Sequence, residues 1–227
     1  PAFEIYKGVS MEFCWIPAGK AKLGSPAGVT VRLPNEYEHN FETAGYWLGK
    51  YAVTQEQWEA VMGSNPSHFK GARLPVETVS WHDCQAFIAK CSLSGLQMRL
   101  PHEDEWEYAY RGGLGNLQVY YWGNTLTGDK ANCDGNEPIG TATKGAYLGT
   151  TTEVGSYETV APHPWGLCDL AGNVWEWCEN WYEHHLHPGV RLEPRQASEF
   201  VGVYRVLRGG SWQYNARCCR GAHRGND

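Results

Sequence analysis

The sequence predicts a mixed α+β domain, with helices in its first half and irregular backbone in its second. One observation is the pattern of the first half, where hydrophobic segments carry helix start and stop signals or the alternation of strands. A second observation is the composition, since the chain contains 27 Gly together with 11 Trp and 13 Tyr. Glycine permits tight backbone with positive φ and aromatic rings fill the space around it, so short elements joined by irregular loops are expected.

Length and charge limit the number of domains and the classes of partner that the chain is expected to have. Its 227 residues fit one large domain, 1–227, better than two. The net charge of −6 argues against nucleic acid as a partner. No apolar run approaches the ~20 residues that a membrane helix needs. None of the cysteines forms a CxxC pair, so a zinc site of the usual spacing is not expected.

Strand patterns open the chain and irregular patterns close it. Alternating segments at 3–5 and 13–16 predict strands, and the segment 46–53 predicts another. Between 114 and 157 the hydrophobic residues follow neither a helical nor a strand periodicity, so turns and short strands are expected there.

Two helices are expected between these regions. Capping boxes at 54–57 and 80–83 each place a hydroxyl residue three positions before a Gln or Asp. The first helix is expected to end at Gly63 and the second at Gly95, since glycine readily takes the left-handed conformation that closes a helix. The second helix is expected to turn four residues toward the core: Ala86, Phe87, Ile88 and Cys91.

A third, shorter helix is expected after Pro101. The acidic segment 103–105 suits the positive end of the helix dipole, and Gly112 with Gly113 supplies the stop. We interpret His102 as the residue at the start of this helix.

Several phrases occur in an order that is specific to one family. They are WIPAG at 15–19, YAVTQEQW at 51–58, NPS at 65–67, LPVETVSW at 74–81, RLP at 99–101, EWEYA at 105–109, GLCDLAGNVWEW at 166–177 and RGGSW at 208–212. With these phrases the chain resembles the formylglycine-generating-enzyme (sulfatase-modifying factor) family over nearly its whole length. The resemblance implies a C-type lectin-like fold of that type, with short strands and helices and much irregular loop. It also implies a functional surface at 208–227.

Two branches of this family imply different functions. One branch is a copper-dependent oxidase that converts a peptidyl cysteine into formylglycine. The other is the variable protein of diversity-generating retroelements, which displays mutable ligand-contacting side chains on the same fold.

The oxidase branch holds copper through two cysteines five positions apart, shortly after the GGS motif. The later one corresponds to Cys219, but the earlier one corresponds to Tyr214, whose phenol is a poor ligand for soft Cu(I). Ser211 and Trp175 match family positions near the oxygen and substrate pocket. The oxidase is therefore the alternative function, with Cys219, Ser211 and Trp175 as its catalytic residues, and we favour a protein without catalysis.

The retroelement branch changes adenines, mostly in asparagine-type AAY codons. Most residue types after Trp212 can arise from such codons, although Gln213 cannot, and Ala216, Arg220, Ala222 and Arg224 stand between them as scaffold. Tyrosine with small polar residues on a loop is typical of a binding surface. The sequence thus predicts a variable ligand-binding segment at 208–227, with contacts from Gln213, Tyr214, Asn215, Arg217, Cys218, His223, Gly225, Asn226 and Asp227.

The resemblance also implies a structural calcium site in the phrase DLAGNVWE. Asp169 and Glu176 would supply carboxylate oxygens, and Gly172 and Val174 would supply backbone carbonyls. A second family calcium site would lie near Asn132 and Cys133, although its carboxylate does not align.

A cluster of three histidines, His184, His185 and His187, stands beside Glu183, and we interpret it as a solvated loop in preference to a metal site. We expect a monomer that binds a protein or surface ligand, at the cell surface or outside the cell. Copper is expected only under the oxidase alternative.

Overall fold

The computed structural model describes residues 1–91, 97–182 and 202–227. Within these ranges helices are few and strands are short, which confirms the predicted α+β class. The strands are β1 (Ala2–Tyr6), β2 (Val9–Ile16), β3 (Gly19–Leu23), β4 (His39–Thr43), β5 (Tyr46–Gly49), β6 (Glu176–Trp181), β7 (Arg205–Arg208) and β8 (Gly225–Asn226). The helices are α1 (Gln55–Met62), α2 (Trp81–Lys90), α3 (Glu103–Arg111) and a 3-10 helix, Ala216–Cys219. No described helix is long and apolar enough to cross a membrane.

Each α-helix begins where its capping residues predict. Thr54, Ser80 and His102 each accept a backbone N–H of the first turn, and the side chain three positions later accepts the N–H of the capping residue. α1 and α3 end at Gly63 and Gly112, whose φ angles of 85° and 56° are left-handed. These boundaries confirm the predictions.

Two predictions about α2 are wrong. The helix ends at Lys90 instead of Gly95, which lies outside the described residues, because Cys91 is extended and its N–H bonds to carbonyls of the preceding turn. Ala86 is exposed because α2 packs on the core through a narrow face centred on Phe87.

The strands form three small antiparallel sheets, in the orders β1-β2-β5, β3-β4 and β6-β7-β8. β5 is shorter than the predicted 46–53 because the chain bends at Lys50. The Lys50 N–H donates to the Glu12 carbonyl (2.8 Å), and its carbonyl accepts the Cys168 N–H (2.9 Å). β7 pairs with β6 on one side and with β8 on the other, so this sheet fixes both ends of the segment 208–227.

Two clusters of buried side chains form the interior. The larger one surrounds α3 and contains Trp106, Tyr110 and Tyr120. The smaller one lies under α1 and α2, where the rings of Trp58 and Phe87 stack with centroids 5.1 Å apart.

A buried ion-pair network joins α3 to the end of the chain. The Glu107 carboxylate accepts hydrogen bonds from Arg111 Nε (2.8 Å) and Arg208 Nη2 (2.6 Å). Glu103, one turn earlier, accepts from Arg224 Nε (2.6 Å) and Nη2 (2.8 Å). Burial alone would raise the pKa of Glu103, but the charges of Arg224 and Arg208 outweigh it and hold the pKa at about 2. Both carboxylates are therefore charged and paired at neutral pH.

Replacing Glu107 with Gln should lower the free energy of unfolding by about 3–5 kcal/mol, because two buried guanidinium groups lose their counter-charge. Urea denaturation measures this change. The control is Glu42→Gln, since Glu42 and Lys20 form an ion pair whose side chains are 63% and 77% exposed. Its loss should change stability little. Equal destabilisation by both substitutions would contradict the importance of the buried network.

A second link to α3 comes from His39 at the start of β4. Its Nε2 lies 3.0 Å from Asp104 Oδ1, and its Nδ1 lies 3.0 Å from the Tyr37 carbonyl oxygen. Burial lowers the pKa of His39, but the hydrogen bond and charge of Asp104 outweigh burial and raise the pKa to about 9.

This raised pKa predicts a pH-dependent contribution to stability. The protonated His39 stabilises the fold fully below its ordinary pKa of 6.5, and the contribution is lost as the pH rises through about 9. The difference in unfolding free energy between wild type and His39→Gln should therefore shrink over this pH range. Urea denaturation at several pH values measures it, with the exposed His82→Gln as control. A difference that is independent of pH would show that the ion pair does not form.

Candidate functional site

The C-terminal segment comprises residues 208–227. After the end of β7, two glycines turn the chain at buried positions. Gly209 and Gly210 have φ angles of 91° and 76°. A Cβ atom on Gly209 would lie 2.9 Å from the Leu170 carbonyl oxygen, and one on Gly210 would lie 2.9 Å from Cys219 Sγ. Both the backbone conformation and the space therefore require glycine.

Three arginines fasten this segment to the interior. Arg208 Nη1 donates to the His223 carbonyl (2.6 Å), which joins the two ends of the segment. Arg220 forms a two-pronged ion pair with Glu36, at 2.9 and 2.5 Å. Arg224 pairs with α3. The four positions predicted as scaffold are all buried: Ala216, Arg220, Ala222 and Arg224.

The predicted contact positions lie on the other side of the segment. The exposed ones are Gln213, Tyr214, Arg217, Asn226 and Asp227, and the half-buried ones are Asn215, Cys218, His223 and Gly225. Inward and outward residues alternate because the 3-10 helix and the short β8 each turn one face to the core. The segment is therefore divided into a buried frame and an outer surface.

Three rings meet at the centre of that outer surface. Trp175 contacts Tyr214 edge to face, with centroids 5.4 Å apart, and lies 5.8 Å from the His223 ring. Gly225 allows close approach, since a Cβ there would lie 3.0 Å from the Trp175 ring. Burial and then the Arg220 charge lower the pKa of His223 to about 4, so this ring is neutral at pH 7.

Residues distant in sequence extend the surface beside the segment. The Trp212 ring stacks on Tyr147 (6.1 Å between centroids) and meets Phe69 edge to face (5.5 Å). Tyr147 is 46% exposed, so aromatic surface continues beyond Tyr214.

The loop 132–137 forms hydrogen bonds with the C-terminal segment. The Asp134 N–H donates to the Tyr214 carbonyl (2.8 Å), and Asn215 Nδ2 donates to Glu137 Oε2 (2.7 Å). On the other side, Arg217 Nε donates to the Val31 carbonyl (3.1 Å).

Two residues of the alternative copper site differ in exposure, since Tyr214 is exposed and Cys219 is buried. The Tyr214 ring lies outward on Trp175, whereas the Cys219 thiol is buried and lies 3.8 Å from the Asn215 carbonyl oxygen. A hydrogen bond with Cys133 and burial raise the pKa of Cys219 well above its usual range, so the thiol stays protonated. Ser211 is buried, and its backbone carbonyl accepts the Tyr214 N–H (3.0 Å).

The predicted calcium residues lie on a tight turn with left-handed backbone at Asp169, Gly172 and Asn173, whose φ angles are 60°, 77° and 65°. Asp169 Oδ2 accepts the Gly155 N–H, whereas its buried Oδ1 has no hydrogen-bond partner among the described residues. Glu176 Oε2 accepts from Trp106 Nε1 (2.8 Å).

Burial raises the pKa of Asp169 to about 6 and that of Glu176 to about 7. Two half-buried acidic residues, one with a buried carboxylate oxygen that lacks a partner among the described residues, fit the hard-oxygen chemistry of calcium. Val174 is half-buried beside them. Within the described ranges, no three His, Cys, Asp or Glu side chains converge as a metal site.

Two other predicted features have different outcomes. At the second family site, Asn132 Oδ1 is buried without a hydrogen-bond partner in the described part of the chain, and Cys133 is buried beside it. The histidine cluster His184, His185 and His187 with Glu183 lies outside the described residues.

Sequence reasoning missed the acidic partners of the arginines. Glu36 precedes β4 in a segment with no periodic pattern, so no local signal marks it as the partner of Arg220. The i, i+4 spacing of Glu103 and Glu107 on α3 was a usable signal, because it places both carboxylates on one helix face.

Comparison with known proteins places the chain in a family. The sulfatase-modifying factor enzyme 1-like domain matches residues 7–227. The formylglycine-generating enzyme of Thermomonospora curvata is 35% identical over 184 residues, which are 78% of this chain and 56% of that protein. A Bos taurus protein named inactive C-alpha-formylglycine-generating enzyme 2 is 33% identical over 186 residues, which are 81% of this chain and 52% of that protein. The chain thus spans about half the length of these relatives.

Solved structures share the fold. Treponema denticola variable protein 1 superposes with a TM-score of 0.78 at 28% identity, covering 100% of this chain and 94% of that one. PvdO from Pseudomonas aeruginosa superposes with a TM-score of 0.75 at 22% identity, covering 100% and 93%, and shows the fold alone. Because the family match extends over almost every residue, this protein belongs to the sulfatase-modifying factor enzyme 1-like family.

Proposed function

We propose that the protein is a non-catalytic, monomeric binding protein whose C-terminal segment presents exchangeable side chains to a partner protein or surface ligand. One observation carries the proposal. The predicted contact positions reach the surface, whereas the predicted scaffold positions between them are buried. A side chain on the outer surface can therefore change without disturbing the ion pairs beneath it.

The chemistry of the outer surface suits recognition. Tyr214 and Trp175 offer rigid aromatic area, and Gln213, Asn215 and Asn226 offer adaptable hydrogen bonds. This combination is typical of antibody binding loops, where few rotatable bonds keep the entropy cost of aromatic contacts low. The residues lie on loops that a stiff interior supports, as binding residues commonly do.

The similarity to the Treponema variable protein supports the same function. That structure aligns along this whole chain and has a higher sequence identity than PvdO, 28% against 22%. If this chain varies by a retroelement process, changes at AAY codons would fall in the outer surface of 208–227.

The oxidase alternative has weaker support. Copper(I) binding would need a second soft ligand near Cys219, and Tyr214 provides only a phenol. The Cys219 thiol is also buried and held protonated, whereas metal ligation requires the thiolate. Trp175 is covered from two sides by Tyr214 and His223, which reduces the space for a substrate.

Two site-saturation libraries test the division between frame and surface. One randomises the exposed Gln213, Tyr214, Arg217 and Asn226, and the other randomises the buried Ala216, Arg220, Ala222 and Arg224. The variants are displayed on the surface of yeast cells and treated with a protease. Most members of the first library should be as resistant to cleavage as the wild type, because their substitutions leave the core intact. Most members of the second should lose this resistance, since buried charges lose their partners.

The surface library also tests binding directly. Selection against hen egg-white lysozyme as a model protein should enrich binders from the surface library. The control library randomises the exposed Glu56, Glu59 and Ala60, which lie on α1 and not on the segment. Similar protease resistance of the two segment libraries, or equal enrichment from the control library, would contradict the proposal.

A copper assay tests the alternative. With Cu(I), oxygen and a cysteine-containing peptide, the purified protein should produce no formylglycine by mass spectrometry, because one copper ligand is missing and the other is buried. The Thermomonospora curvata enzyme serves as the positive control. Turnover by this protein that disappears in Cys219→Ser would favour the oxidase function instead.

We also propose a structural calcium ion held by the carboxylates of Asp169 and Glu176 with the carbonyls of Gly172 and Val174. The buried and unpaired Asp169 Oδ1 supports this assignment. When bound, calcium would neutralise two half-buried carboxylates and stabilise the turn that carries Trp175. The ion would act on the binding surface only through the position of that ring.

Calcium should raise the melting temperature relative to EDTA-treated protein by several degrees, because a ligand that binds only the folded state stabilises it. Differential scanning calorimetry measures the shift. Asp169→Asn should abolish it, and Glu59→Gln, an exposed change on α1, should preserve it. Magnesium should act weakly because of its stricter geometry. An unchanged melting temperature at millimolar calcium would exclude the site.

A further inference from the structure

Two buried thiols meet beneath the outer surface. Cys133 and Cys219 are 1% and 0% exposed, and Cys133 lies close enough to raise the pKa of the Cys219 thiol. Both belong to the large core cluster around α3. Neither thiol has a part in the proposed binding surface, so their contact requires a separate explanation.

The backbone next to the two cysteines is already joined. Asp134 and Asn215 form a parallel bridge, in which the Asp134 N–H donates to the Tyr214 carbonyl (2.8 Å). The Ala216 N–H donates to the Glu137 carbonyl (3.4 Å), and Asn215 Nδ2 donates to the Glu137 carboxylate (2.7 Å). These hydrogen bonds therefore fix the distance between the loop 132–137 and the start of the 3-10 helix, next to the two cysteines.

We propose that Cys133 and Cys219 are a disulfide pair that links the loop 132–137 covalently to the C-terminal segment. A disulfide needs Cα atoms about 4.4–6.8 Å apart. The bridge between Asp134 and Asn215 brings the two chain segments together beside the cysteines, and both thiols lie in the same core cluster. The link would stiffen the frame under the outer surface in an oxidising environment.

The oxidant in this reaction is a small disulfide such as oxidised glutathione. The thiolate of one cysteine attacks a glutathione sulfur, forms a mixed disulfide and releases one reduced glutathione. The thiolate of the other cysteine then attacks the protein sulfur of that mixed disulfide and releases the second. Two protein thiols become one disulfide, and their protons and two electrons reduce one glutathione disulfide to two thiols.

Burial determines when the pair reacts. In the folded protein the thiols are inaccessible and the pKa of Cys219 is raised, so few thiolates are available. The disulfide should therefore form during folding and then resist reductants while the fold persists. Cys218 is half-buried and adjacent in sequence, which makes it the matched control.

The test refolds the protein from urea with and without a mixture of reduced and oxidised glutathione. After alkylation in denaturant, mass spectrometry should find eight modified cysteines in the reduced protein, the total in the sequence. The oxidised protein should have two fewer, and peptide mapping should join Cys133 to Cys219. The link should survive dithiothreitol in buffer, disappear in denaturant, and raise the melting temperature by roughly 5–10 °C.

Variants locate the bond. Cys218→Ser should keep the link and the shift in melting temperature, whereas Cys133→Ser should lose both. Eight alkylated cysteines after oxidative refolding would overturn the proposal, even if a variant fails to fold. A bond that joins any other pair, or a stable glutathione adduct on Cys219, would overturn it too.

Discussion

The pairing of two α3 glutamates with arginines from the end of the chain is the constraint on which the rest of the structure depends. Glu103 and Glu107 are buried, and each would be costly without a partner. Arg208 and Arg224 satisfy them from the two ends of the C-terminal segment. Detaching the segment from α3 would leave these buried charges without partners. The segment is therefore held rigidly despite its irregular backbone.

That rigidity would allow the proposed binding surface to accept side-chain changes. The ion pairs and the glycines beneath it fix the backbone, so Tyr214 and its exposed neighbours contribute little to the core. The residue at the first copper-ligand position of the oxidase branch is compatible with this interpretation. Where the oxidase branch has a cysteine, this chain has an outward tyrosine that packs on Trp175, and the remaining Cys219 thiol faces Cys133 in the core.

Local signals predicted the local features of the fold. The capping boxes located the starts of α1 and α2, and glycine located the ends of α1 and α3. The end of α2 was wrong because an extended Cys91 closes it without a glycine. The α+β class also followed from pattern and composition.

Long-range partners could not be predicted in the same way. The pair of Arg220 with Glu36 joins residues far apart in sequence, and only the folded chain brings them together. The outward positions of 213–227 were predicted from codon chemistry and family resemblance. Their alternation with buried arginines is a property of the tertiary structure.

Whether residues 208–227 vary is measured most directly by the nucleotide sequence around the gene. We expect a nearby reverse transcriptase gene and a near-identical template repeat of the region that encodes 208–227. Mismatches between the two copies should fall at template adenines in codons for outer-surface residues, and the codons for Ala216, Arg220, Ala222 and Arg224 should match. The absence of a repeat, or mismatches concentrated in the codons for those four buried residues, would show that 208–227 is not a retroelement-varied binding surface.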